Sequence, residues 1–181
     1  MRSTRRPRRR RIRVSTVIGI TLLGVGGALA AGVLFAPQAV ERAYGEAKST
    51  VSGAVDTIRE ETLDELPSVN LGATGGMSEL DRCDGTFTEM SSYEHGDVPP
   101  VWAAHNNCAG DVLLPWESGQ WIQLDGDDQV YEVVDIVYTP KTWATVDDIV
   151  GLDGELALQT CFYGEDRMKF IGLEPVEGEA S

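Results

Sequence analysis

Past residue 13 the chain has little positive charge: seven Lys and Arg remain against all 29 Asp and Glu, a net charge of −22 for residues 14–181. Such a surface repels phosphate backbones and excludes nucleic acid as a partner of everything beyond the leader. Histidine is scarce as well, with His95 and His105 alone, so any imidazole chemistry has two candidates. Only one apolar run is long enough to span a bilayer, which excludes a multi-span membrane protein. There is no Gly-X-Y period, and the 42% hydrophobic content is too high for a disordered polyampholyte. A length of 181 residues accommodates one compact domain with extra chain.

The missing bases are at the start, where residues 2–13 hold eight Arg and no acid. They abut 27 uncharged residues, Val14 to Val40. A helix rising 1.5 Å per residue crosses a bilayer core in roughly 20 residues, so the run predicts a transmembrane anchor over 14–36. Flanking positive charge stays cytoplasmic. Residues 1–13 are therefore expected to be a cytoplasmic leader, and the remainder is expected outside a single-pass cell membrane anchor. A signal peptide cleaved after Ala28-Leu29-Ala30, or a twin-arginine export signal, are the competing readings of the same residues.

From Val40 the apolar positions Tyr44, Ala47, Val51, Ala54 and Ile58 follow at spacings of 4, 3, 4, 3 and 4. That predicts an amphipathic spacer helix, lying against the domain or leading out of the membrane, in preference to a dimeric coiled coil. Pro67 and the GATGG run at 72–76 then read as a flexible linker, so residues 37–79 form a stalk and 80–181 the folded domain.

Beyond Leu80 short β-rich runs alternate with Gly, Asp and Pro. Candidate strands are Thr86–Met90, Val101–Ala104, Asp111–Leu114, Gln120–Leu124, Val130–Tyr138, Glu155–Cys161 and Arg167–Glu174. Asp125-Gly126 marks a hairpin turn, and Thr145 is placed to cap one helical turn. Seven short strands in about 100 residues predict a mostly β domain, an antiparallel barrel or sandwich.

Three Cys in an exported domain close one disulfide and leave one thiol. Cys83 and Cys108 occupy turn-like contexts suited to a staple, whereas Cys161 ends an apolar strand. A Cys2His2 zinc site on Cys83, His95, His105 and Cys108 is the rival use of these residues. If Cys161 pairs with Arg167 across a hairpin, with Tyr163-Gly164-Glu165 as its loop, thiol and guanidinium are neighbours on one face. A cation there favours the thiolate and can hold an oxyanion. His105, at the end of another short strand, brings an imidazole to a polar loop. The bland alternative is a buried, inert Cys161.

The blocks Val101-Trp102-Ala103-Ala104-His105, Leu156-Ala157-Leu158-Gln159-Thr160-Cys161 and the following Arg167 resemble the sortases, membrane-anchored cysteine transpeptidases of Gram-positive bacteria. The resemblance covers roughly residues 80–176. It implies a sortase-like closed β-barrel with short helices behind one transmembrane helix and a helical stalk. The region ahead of His105 is short for a full set of early strands, so it also implies a barrel trimmed at its start. The implied catalytic residues are Cys161 as nucleophile, His105 as acid–base and Arg167 as oxyanion and substrate holder. The implied partners are secreted proteins bearing a sorting signal and an amine on peptidoglycan precursor or pilin. No cofactor or metal is implied.

Overall fold

The computed structural model describes residues 14–63 and 65–177. The basic leader therefore lies outside the described residues. Helix α1 spans Val14–Phe35, and its Ile18–Phe35 stretch is apolar, long enough to cross a membrane and nowhere buried against the protein. After Ala36 the chain re-enters a helix at Pro37, a first-turn position where the missing amide is no loss. This α2 runs Pro37–Leu63.

The folded unit is a nearly closed barrel of eight strands: β1 (Ser68–Val69), β2 (Leu71–Gly75), β3 (Phe87–Met90), β4 (Val101–Ala103), β5 (Trp121–Leu124), β6 (Val130–Thr139), β7 (Leu156–Cys161) and β8 (Met168–Pro175). A four-residue helix, α3 (Met77–Leu80), separates β2 from β3. The sheet order is β1-β5-β6-β8-β7-β4-β3-β2. Its two ends, β1 and β2, are consecutive in the chain on either side of Asn70. One extended segment thus pairs with β5 through residues 68–69 and with β3 through 71–75, bringing the two edges together. Closure removes the edges that would invite aggregation.

This corrects two expectations. Residues 68–75 are barrel strands rather than linker, so the domain starts ahead of Leu80 and its early strands are present. The composition of GATGG concealed them, because Gly is depleted in strands. The close approach is real, since a side chain at Gly72 would collide with Thr86. The sheet is also mixed: β1/β5, β2/β3 and β4/β7 are parallel, and the other pairs antiparallel.

Alternation along β7 and β8 separates two cores. Leu156, Leu158, Ile171 and Leu173 face the barrel interior with Phe87, Ile122, Val133 and Trp116. Ala157, Met168 and Phe170 face outward and pack beneath the 3-10 turn Val146–Ile149 with Val101 and Leu152. Thr145 stands at the N-cap of that turn as expected, and Asp148, which the sequence did not single out, accepts the Thr145 amide at 2.7 Å. The expected strand Asp111–Leu114 is instead a 3-10 turn, Gly110–Leu113, plugging one end of the barrel. Its carbonyls make the difference. Buried Lys169 on β8 donates to the Leu113, Leu114 and Trp116 oxygens, which a ladder would have occupied.

Helix α2 lies against the barrel, but not through its apolar stripe. Val51 and Ile58 face solvent, and Tyr44, also mostly exposed, only edges against Tyr163. The docking face is Gly45, Lys48 and Gly53: Gly45 is buried so tightly on Tyr163 that a Cβ there would stand 2.5 Å from its ring. Lys48 pairs with buried Asp111 at 2.6 Å, and the Arg42 Nε donates to the Gly164 carbonyl at 2.9 Å.

Candidate active site

The free thiol, Cys161, stands at the last residue of β7 on the barrel's outer face, partly buried in the outer core. Strand β4 runs parallel beside it, with Ala103 opposite Gln159 and the Ala104 amide donating to the Gln159 carbonyl at 3.1 Å. Thr160 returns the contact, its hydroxyl donating to the Ala104 carbonyl at 3.0 Å. Carrying the register two residues on sets His105 level with Cys161, where β4 has become loop. The chain turns sharply there: the His105 carbonyl accepts the amides of Cys108 and Gly110. Gly110 permits this turn, since a Cβ would lie 2.3 Å from the Ala104 oxygen.

The imidazole does not bond the thiol. Its Nε2 lies 2.9 Å from the Asp81 carboxylate, at the C-terminal end of α3, and the Cys161 sulfur instead accepts a long contact from Gln159 Nε2 at 3.8 Å. Burial pushes the thiol pKa up, opposed in part by the positive charge of Lys141 and by the Gln159 contact. Tyr93, whose phenol is also raised by burial and then by the sulfur's charge, stacks edge-on against Phe170 at 5.7 Å. These two rings, with Val146, Ile149 and Met168, line a cavity of about 260 Å³ on this outer face.

Arg167 departs from the expected pairing. Cys161 opposes Met168, and the Phe162 amide donates to the Arg167 carbonyl at 2.9 Å, so the hairpin is slipped by one residue and its loop is the four residues 163–166. A one-residue slip moves a side chain to the other face. The guanidinium accordingly lies 3.8 Å from the centre of the Phe162 ring and 5.3 Å from that of Tyr138, with Nε 3.1 Å from Glu165. It lines a second cavity of about 390 Å³ between α2 and the β7–β8 turn, together with Arg42, Pro115 and Tyr163. The geometry therefore places Cys161 and His105 on adjacent strand ends and sets Arg167 apart from the sulfur.

Cys83 and Cys108 form the disulfide, with Cα atoms 4.9 Å apart. Both thiolates that the zinc alternative requires are consumed by it. Two residues beside the site, Asp81 and Lys141, carried no sequence signal. Asp81 meets His105 only through the fold. Lys141 sits in the β6–β7 connection, and Trp143 there is almost wholly exposed at φ +69. That connection is pinned to the β7–β8 turn, because the Thr142 amide and hydroxyl both donate to Asp166 at 2.8 Å.

No family model and no curated protein matches the sequence. Among solved structures the chain is similar to sortase C1 from Streptococcus suis, at 18% identity and a TM-score of 0.41, over 60% of this chain and 65% of that one. It is also similar to the sortase D5 transpeptidase of Clostridium perfringens, at 14% identity and a TM-score of 0.38, over 57% of this chain and 68% of that one. The chain thus spans about two thirds of the length of either.

Proposed function

We propose that the protein is a sortase-like cysteine transpeptidase tethered outside the cell membrane by α1. The observation that carries this reading is the placement of a lone thiol at the end of β7, on the outer face, in register with the strand that delivers His105. Cys161 would attack the carbonyl carbon of a sorting motif, and His105 would protonate the departing amine, leaving a thioester. An amine of peptidoglycan precursor or pilin would then attack the thioester, return its proton to His105 and release Cys161. A thiol held protonated by burial needs such a base at the moment of attack. Arg167 enters the reading as a group that must leave Phe162 to reach an oxyanion, or that serves the acceptor side from its own cleft.

The burial of the thiol and the missing Cys161–His105 bond favour a second reading, a non-catalytic anchored β-domain that binds an extracellular partner. Acyl-enzyme capture with a panel of sorting-motif peptides, read by mass spectrometry, decides between them. A thioester adduct on wild type that is lost in Cys161→Ala is expected. No adduct with any motif moves the assignment to the binding domain. The orientation is checked by protease added to intact cells, which should digest the domain. Recovery of a soluble form starting just after Ala30 would establish cleavage instead.

A further inference from the structure

Asp81 is 2.9 Å from His105, and the two residues come from opposite ends of an interval of 24 residues. Neither is fixed by a strand. Asp81 follows the last residue of α3, and His105 lies two residues beyond β4. A covalent link lies beside the pair: Cys83, two residues after Asp81, is joined to Cys108, three residues after His105. Around this link each loop is locally braced. The Asp81 amide donates to the Met77 carbonyl at 2.9 Å, and Asp84 accepts from the Thr86 amide and hydroxyl. Arg82 turns to Glu79 at 3.2 Å, leaving the Asp81 carboxylate to the imidazole. On the other side the Tyr163 hydroxyl donates to the Asn106 carbonyl at 2.7 Å, tying the His105 loop to the turn that follows Cys161.

Building on the transpeptidase reading above, we propose that Asp81 is the positioning residue of His105 and that the Cys83–Cys108 disulfide is the clip that keeps the pair in contact. A carboxylate accepting the Nε2 proton fixes the neutral ring as the Nε2–H tautomer. Nδ1 is then the nitrogen that takes the thiol proton and hands it to a leaving amine. The disulfide belongs to the same device, because without it two short loops lose the constraint that holds their side chains within hydrogen-bond reach.

The test uses the full chain in detergent, with ¹⁵N-histidine and His95→Gln for assignment. Long-range ¹H–¹⁵N spectra should show the Nε2–H form of His105 in wild type. Asp81→Ala should give a mixture of tautomers, and Cys83→Ser/Cys108→Ser should give the same mixture although Asp81 is present. Asp81→Glu should restore the single form. In acylation kinetics Asp81→Ala should lower the rate at saturating peptide by about tenfold or more with little change in KM. Asp81 is largely exposed, so its melting temperature should stay near wild type. An unchanged His105 ring signal in Asp81→Ala, or a loss confined to KM or to melting temperature, would overturn the proposal. A tautomer shift without any adduct on wild type would retain the pairing and sink the transpeptidase reading, so the two failures are distinguishable.

Discussion

At the scale of single residues, burial sets the protonation chemistry. Lys169 is buried in the barrel, its pKa lowered to about 8 by desolvation, with Glu117 acting weakly the other way. Between pH 8 and 10.5 the unfolded chain keeps a proton that the folded chain has released. Stability should therefore rise with pH across that window, read as increasing denaturant midpoints. Lys169→Met should remove that slope and destabilise by about 2 kcal/mol at pH 7, since three carbonyls lose their donor. Cys161 shows the same effect with opposite sign of charge: burial raises the thiol, so alkylation should be slow at neutral pH and accelerate in alkali. Lys141→Gln removes the cation that partly offsets this burial. It should slow alkylation about two- to five-fold at neutral pH, and an unchanged rate would take Lys141 out of the site's electrostatics.

At the scale of elements, α2 and the β7–β8 hairpin depend on one another. Tyr163 is nearly buried between Gly45 of α2 and the His105 loop, and Tyr44 meets its ring edge-on at 5.5 Å. Gly45→Val has no room on that ring. It should lift α2 from the barrel, lower the melting temperature by several degrees and raise amide exchange in residues 42–53. The strands that the sequence announces are those with β-branched runs between turn residues, as at Val130–Thr139, and the Asp125-Gly126 hairpin between β5 and β6. The Cys83–Cys108 pairing was also legible, because three Cys in two kinds of context leave few choices. The slip that separates Arg167 from Cys161 was not. A Gly-containing turn accommodates three or four residues alike, and the choice falls to Gly164, whose φ of +61 and close fit against α2 no local pattern records. The docking face of α2 was hidden for a related reason. A face built on two glycines and a lysine carries no apolar stripe, and the stripe that the sequence does show on α2 points away from the barrel.

At the scale of the whole molecule, the segment 68–75 both begins the domain and brings the barrel's edges together. A chain truncated to start at residue 80 should therefore lack β1 and β2, expose the edges of β5 and β3, and aggregate or melt without a cooperative transition. One starting at residue 65 should melt cooperatively, and equal behaviour of the two would show that the seam is dispensable. The docked stalk has a further consequence for where the protein can work. With α1 in the bilayer, only the six residues from Ala36 to Glu41 separate the apolar helix from Arg42, whose Nε bonds the Gly164 carbonyl, and within them the Gln38 carbonyl already packs on Gly164. At 1.5 Å per residue that is about 9 Å of helix. If α1 is the membrane anchor proposed above, the docked stalk holds the barrel close to the bilayer rather than at the end of a long flexible tether. On that reading substrates come to the barrel, because the docked stalk gives it little reach of its own.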